Sequence, residues 1–189
     1  MALMHTPLCD TSFQAPDFSL KGIDGKDYSL ADVKGEKGTV VMFICNHCPY
    51  VKTIISRLVD DAKTLQDNGI GVIAIMPNDT QNYPDDSFEN MAVFAKKHGF
   101  TFPYVIDETQ ATAKLYDAVC TPDFFGFNAD LKLAYRGRLD GVTPSNPATK
   151  DTRKELCEAM LQVAETGRGP DAQMSSMGCS IKWRETAAA

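Results

Sequence analysis

With 189 residues, 43% of them apolar and 23% charged, the chain has the make-up of a globular protein, long enough for one well-buried domain and short for two. A net charge of −6 argues against nucleic acid or an anionic membrane surface as partner, and no apolar run approaches the ~20 residues that a bilayer crossing needs. Met1 to Pro16 lacks the basic start and apolar stretch of a secretory signal, so a cytoplasmic location is expected.

In chain order, Phe18-Ser19-Leu20 and Tyr28-Ser29-Leu30 flank an Asp24-Gly25 pair, which predicts a β-hairpin. Thr39 to Ile44 reads as a buried strand. From Pro49 to about Asp67, Val51, Ile54, Ile55, Leu58, Ala62 and Leu65 recur at helical spacing, with a stop at Asn68-Gly69. Ile70 to Met76 reads as a second buried strand. Asp86 to His98 reads as a helix, with Asp86 and Glu89 in a capping relation and Gly99 closing it. Phe102 to Ile106 is a third strand, and Thr109 to Tyr116 a short helix. Phe124 to Asn128 and Lys132 to Arg138 form an antiparallel pair around Asn128-Ala129-Asp130. A last helix runs from about Asp151 to Glu165, and residues 171–189 are expected to be an irregular tail ending in an uninformative Ala187-Ala188-Ala189. This order is α/β, a mixed central sheet flanked by helices within one domain spanning residues 1–189.

The chemistry concentrates at Cys45-Asn46-His47-Cys48-Pro49, where the first buried strand meets its helix. Pro49 suits the first helical position, so Cys48 falls at the N-cap, where free backbone N–H groups and the helix dipole favour an anion. Such surroundings lower a cysteine pKa to roughly 3.5–7.5. Cys48 is therefore the expected nucleophile. Six cysteines (Cys9, Cys45, Cys48, Cys120, Cys157, Cys179) are too sparse for a disulfide scaffold and point to reduced, catalytic or metal-binding thiols.

The helix opening at Cys48, together with Thr121-Pro122 just before the strand at Phe124, resembles the thioredoxin fold, which implies a cis-proline beside the reactive cysteine. Ala15-Pro16-Asp17-Phe18-Ser19-Leu20 and the hairpin that follows resemble the N-terminal extension of the alkyl hydroperoxide reductase/thiol-specific antioxidant (AhpC/TSA) branch. Asn46-His47-Cys48-Pro49-Tyr50-Val51-Lys52, Cys120-Thr121-Pro122-Asp123-Phe124-Phe125, Tyr135-Arg136-Gly137-Arg138-Leu139-Asp140 and Gly178-Cys179-Ser180-Ile181-Lys182-Trp183 resemble a peroxiredoxin-like family within it. The match departs from the standard sites. Aligned on Cys48, the peroxiredoxin Pro-x-x-x-Thr-x-x-Cys pattern meets Val41 and Cys45, and the second thioredoxin cysteine meets Val51.

Around Cys48, Cys45 is either a resolving thiol or a strand-end cysteine pointing into the core. The fold implied by the resemblance brings Cys120 and Pro122 near Cys48, Cys120 as a second resolving candidate or as packing. Cys179 would reach the site only if the tail docks on it, with Ile181 and Trp183 as apolar anchors. Cys157 lies on the stripe of Met160 and Leu161 and reads as core, and Cys9 as incidental. His47 could stabilise the thiolate or donate a proton, or be an exposed loop residue. Arg136, in strand parity with Arg138, could favour the thiolate or bind a developing oxyanion, or lie on a solvated face. Lys52 reads as surface, while Tyr104, Asn78 and Asp107 could line the rim.

The leading expectation is a thiol-dependent redox enzyme, either a thiol-disulfide oxidoreductase or a peroxiredoxin-like peroxidase. Its Cys48 would act on a disulfide or peroxide and a second cysteine would resolve the product, with no cofactor. A thiol reductant such as thioredoxin or glutathione would be its partner, and pairing of exposed edge strands leaves a homodimer open. The alternatives are a soft-metal site for copper or zinc through Cys45, His47 and Cys48, completed by Cys120 or Cys179, and a non-catalytic thioredoxin-fold binding module.

Overall fold

A computed structural model describes residues 2–185; the terminal Ala187-Ala188-Ala189 lies outside them. The chain order is β1 (Leu3–His5), β2 (Ser19–Gly22), β3 (Asp27–Ser29), α1 (Leu30–Val33), β4 (Gly38–Phe43), α2 (Pro49–Asp67), β5 (Ile70–Met76), α3 (Phe88–His98), β6 (Tyr104–Ile106), α4 (Ala111–Leu115), β7 (Cys120–Thr121), β8 (Asp123–Asn128), β9 (Leu133–Gly137), α5 (Glu155–Thr166) and β10 (Met177–Ser180). The main sheet has the order β3-β2-β6-β5-β4-β8-β9 and is mixed, as expected: β4, β5 and β6 run parallel, while β8 and β2 join them antiparallel. A second, three-stranded sheet runs β1-β10-β7.

The central strands are buried on both faces, so they read as continuous apolar runs whose alternate residues feed two cores. Val40, Met42 and Ile44 point to one side, where they meet α2, α3 and α5. Val41 and Phe43 point to the other and join Ile73, Ile75, Tyr116, Phe125 and Phe127. Cys45 and Cys48 belong to the first core. The amphipathic stripe of α2 (Val51, Ile54, Ile55, Leu58, Ala62, Leu65) is buried against it as its spacing requires.

Several boundaries differ from expectation, each for a local reason. Ser29 ends β3 as the cap of the short α1: its hydroxyl accepts the Asp32 N–H while the Asp32 carboxylate takes the Ser29 N–H. The helix α3 starts at Phe88, capped by the Ser87 hydroxyl on the Asn90 N–H, so Asp86 is not its cap. Asp86 ends a 3-10 turn (Pro84–Asp86) instead. The last helix starts at Glu155, because Thr149 and Thr152 close a turn on each other's backbone at 149–152. The tail expected to be irregular carries β10, paired on both edges, and the N-terminal β1 was not anticipated. Among the described residues, no helix is long and apolar enough to cross a membrane.

The second core depends on a cluster of rings. Phe125 is fully buried, with ring centroids 5.8 Å from Phe43 and 5.5 Å from Tyr116, both edge-on. Phe125→Ala is expected to lower the unfolding free energy by about 3–5 kcal/mol, measured by equilibrium urea denaturation.

Candidate active site

After β4 the backbone leaves the sheet, and the loop Asn46-His47 is held from below by one side chain. Asp86 Oδ1 accepts the N–H groups of Asn46 (2.8 Å) and His47 (3.2 Å). Asn46 itself is fixed by Nδ2 on the Asp85 carbonyl (3.1 Å) and by the Tyr104 hydroxyl donating to its Oδ1 (3.0 Å). This hands the chain to α2 with Cys48 at the N-cap in extended conformation and Pro49 in the first turn. The Val51 N–H favours the anion at Cys48 without closing a capping hydrogen bond, and the Cys48 sulfur has closer partners.

Those partners are thiols and backbone. Cys48 Sγ lies 3.1 Å from Cys179 Sγ and 3.1 Å from the Thr121 carbonyl oxygen. The Thr121-Pro122 bond is cis, as expected. The Cys48 pKa is lowered to about 5, chiefly by a hydrogen bond from the Cys45 thiol; burial opposes this, and the Val51 N–H and Cys179 add to it. The Thr121 carbonyl suits a thiol and opposes a thiolate, so the donors must outweigh it. Burial pushes Cys45 well above its ordinary value, reinforced by its bond to Cys48, and Cys179 is pushed up to about 12 for the same two reasons. The arrangement is therefore one thiolate, Cys48, flanked by two protonated thiols.

His47 is engaged by partners other than Cys48. Its Nδ1 is 2.6 Å from Asp86 Oδ2 and 3.9 Å from Cys45 Sγ, and its ring stacks on Tyr83 at 5.7 Å. Asn78, a rim candidate, connects this group to the tail: its Nδ2 donates to Asp86 Oδ2 (2.8 Å) and its Oδ1 accepts the Lys182 N–H (2.9 Å). The metal-site expectation of Cys45, His47 and Cys48 changes membership, since the donor atoms gathered within 4.8 Å are those of Cys45, His47 and Asp86. His47 and Asp86 are bonded to each other and the Cys45 thiol is held protonated, so this set is a hydrogen-bond network before it is a ligand set.

Other candidates lie elsewhere. Arg136 neither faces Cys48 nor lies on a solvated face. It is buried on the Phe125 side of the sheet, stacked at 4.3 Å on that ring and bonded to the Asp117 carbonyl (2.7 Å) and Asp123 (3.2 Å). Burial raises the Asp123 pKa to about 6 despite that guanidinium. Arg138 is paired with Glu155. Cys120 Sγ donates to the Pro122 carbonyl (3.4 Å), and burial raises its pKa. Asp107 accepts the Ala113 N–H in α4, away from the rim. Lys52 is exposed and Cys157 is in the core, both as expected. The sequence reading missed Asp86 as a site residue, and Thr121 as the neighbour of both Cys48 and Cys45. Beside the site a cavity of about 350 Å³ opens between Tyr50, Pro122, Arg138, Asp140, Met174 and Met177.

The Asp86 bond raises the His47 pKa above its ordinary value, against burial. A raised folded-state value means that the contact stabilises fully below the unfolded histidine pKa of ~6.5 and loses its contribution as pH rises through the raised value. Asp86→Asn is expected to lower the His47 midpoint in an NMR titration of the ring protons and to remove that slope from the stability profile. An unchanged midpoint would locate the controlling charge elsewhere.

In comparisons with known proteins, the chain is similar over 99% of both lengths to a crystal structure titled an uncharacterized conserved protein from Geobacillus kaustophilus, with 45% identity and a TM-score of 0.90. It is similar to the thioredoxin domain of a thiol-disulfide oxidoreductase from Bacteroides vulgatus at 17% identity and a TM-score of 0.57, over 72% of this chain and 91% of that one. At that identity the likeness shows the fold alone, which is thioredoxin-like. The thiol-disulfide oxidoreductase ResA of Bacillus subtilis is 27% identical over 121 residues, 63% of this chain and 62% of ResA, so the match spans less than two thirds of that relative. The sequence pattern described as the AhpC/TSA family matches residues 12–136, about two thirds of the chain. With Cys48 at the helix start beside a cis-proline inside that stretch, the chain belongs to the AhpC/TSA family.

Proposed function

We propose that this protein is a thiol-disulfide oxidoreductase whose nucleophile is the Cys48 thiolate. The observation that carries the reading is a cysteine sulfur at the start of α2, beside a cis-proline and 3.1 Å from a second sulfur, that of Cys179; its pKa is lowered to about 5. Cys48 attacks one sulfur of a substrate disulfide, forming a mixed disulfide and releasing one substrate thiol. A second cysteine of the chain then attacks Cys48 Sγ, closes an internal disulfide and releases the other substrate thiol. An external thiol reductant, such as thioredoxin or glutathione, returns the dithiol by the same exchange. A cytoplasmic setting would supply such a reductant.

A disulfide is favoured over a peroxide because the two arginines expected at the site are committed elsewhere, Arg136 to Asp123 on the Phe125 side of the sheet and Arg138 to Glu155. Peroxide cleavage expels an alkoxide or hydroxide that a fixed cation beside the sulfur would stabilise. A disulfide expels a thiolate, a far better leaving group that needs no such partner.

Two measurements test this. Ultraviolet thiolate absorbance of the reduced protein is expected to titrate with a midpoint near pH 5, and to lose that step in Cys48→Ser. The same variant is expected to lose disulfide reductase activity by at least ~10³-fold. Full activity in Cys48→Ser would end the proposal. A wild-type rate with hydrogen peroxide far above that with disulfides would move the reading to peroxidase.

A further inference from the structure

Resting on that reading, we infer that Cys179 is the thiol that closes the internal disulfide with Cys48, carried there by a C-terminal strand that covers the nucleophile and lifts to admit substrate. No other sulfur contact in the site has this combination of position and mounting.

The register of β10 against β7 pairs Cys179 with Thr121 and Ser180 with Cys120. Directly paired residues project to the same face of a sheet and successive residues to opposite faces. Cys179 and Thr121 therefore share the face that meets Cys45 and Cys48, where Thr121 Oγ1 is 3.3 Å from Cys45 Sγ. Cys120 projects to the other face, which removes it as the resolving thiol. Cys45 is close, but it sits between Ile44, bonded to the Ile75 carbonyl, and Asn46, bonded to Asp86. Its sulfur is engaged by Thr121 Oγ1 (3.3 Å) and lies near His47 Nδ1 (3.9 Å), so it is fixed on both its backbone and its side chain.

Cys179 is held differently. Its strand is short: it is the middle strand of the sheet β1-β10-β7 and meets the body of the protein through a two-residue ladder on β7 and a few discrete bonds. Gly178 allows the close approach: a Cβ there would stand 2.1 Å from the Thr121 carbonyl oxygen and 3.0 Å from the Pro122 nitrogen. On one side Ser176 Oγ donates to the Pro122 carbonyl (2.8 Å). On the other, the Lys182 N–H donates to Asn78 Oδ1 (2.9 Å), the Lys182 carbonyl accepts the Asp79 N–H (2.9 Å), and the Arg184 N–H donates to Gln110 Oε1 (2.8 Å). Anchored so, the strand leaves Cys48 fully buried, and an external disulfide reaches the sulfur only when β10 moves aside.

The chemistry closes without further groups. Cys48 Sγ⁻ attacks substrate sulfur, the substrate S–S bond breaks, and the leaving thiolate takes up a proton. When β10 returns, Cys179 gives up its proton and attacks Cys48 Sγ; the mixed S–S bond breaks and the second substrate thiolate departs. The substrate has gained two electrons and the Cys48–Cys179 pair has lost two, to be restored by a dithiol reductant. The order of events is built in. Besides burial, the Cys48 thiolate itself holds Cys179 protonated, and that restraint disappears once Cys48 is in a mixed disulfide.

The test uses the reduced full chain and a chromogenic aromatic disulfide that releases one coloured thiolate per attack, with rapid quenching and peptide mapping. The wild type is expected to release two coloured thiolates per chain from this site and to yield linked Cys48 and Cys179 peptides. Cys179→Ser is expected to stop after one, with the aromatic thiol trapped on Cys48. Gly178→Ala keeps every thiol, and is expected to slow the second release about 100-fold, as a misplacement of about 1 Å does, without slowing the first. A wild-type Cys45–Cys48 linkage, or an unchanged second release in Cys179→Ser, would overturn the assignment and leave the proposed function standing. Failure of Cys48 to react in any variant would remove both.

Discussion

The site depends on one buried carboxylate. Asp86 has no exposed surface, and an isolated carboxylate there would carry a large desolvation cost. Four donors offset it: the N–H groups of Asn46 and His47, the Asn78 amide and the His47 ring. Each of these belongs to a part of the site. The two backbone donors set the loop that delivers Cys48 to the helix start, the His47 ring is held between Asp86 and Cys45, and Asn78 reaches the tail at Lys182. The carboxylate is thus a joint between β4, α2, the loop after β5 and the C-terminal strand.

The thiolate is the outcome of a competition that this joint makes winnable. Burial and the Thr121 carbonyl both oppose charge on Cys48. The Cys45 thiol, the Val51 N–H and Cys179 favour it, and their sum holds the pKa at about 5. Helix N-termini supply the backbone part of this in many thiol sites. Here the two neighbouring sulfurs supply much of the rest, so the same groups that stabilise the nucleophile are the ones with which it can react.

The helix α2 and the strand β5 were legible in the sequence because local patterns and burial agree there. The stripe from Val51 to Leu65, the proline at the start and Asn68-Gly69 at the end all specify one helix, and Ile70 to Met76 is apolar because both its faces are buried. The cis-proline and the family followed from short motifs. Asp86 reads as a helix cap because Glu89 follows it three positions on, and nothing local distinguishes a cap from a carboxylate whose partners are 40 residues away. Arg136 was misplaced because strand parity names two faces without saying which one holds the site; its face is set by pairing with Phe125 across β8 and β9.

By itself the sequence determined that Cys48 stands at a helix start in a mixed α/β fold, since capping and apolar periodicity act over a few residues. Only the tertiary structure decided which sulfur meets it. Cys179 lies 131 positions from Cys48, and its approach depends on a strand register, on a glycine that lets β10 rest over Thr121-Pro122, and on anchors from Asn78 and Gln110. Those are long-range contacts between segments that carry no mutual signal along the chain. The physical reason is that helix caps are local interactions, whereas the pairing of two thiols is a matter of where packed elements place them.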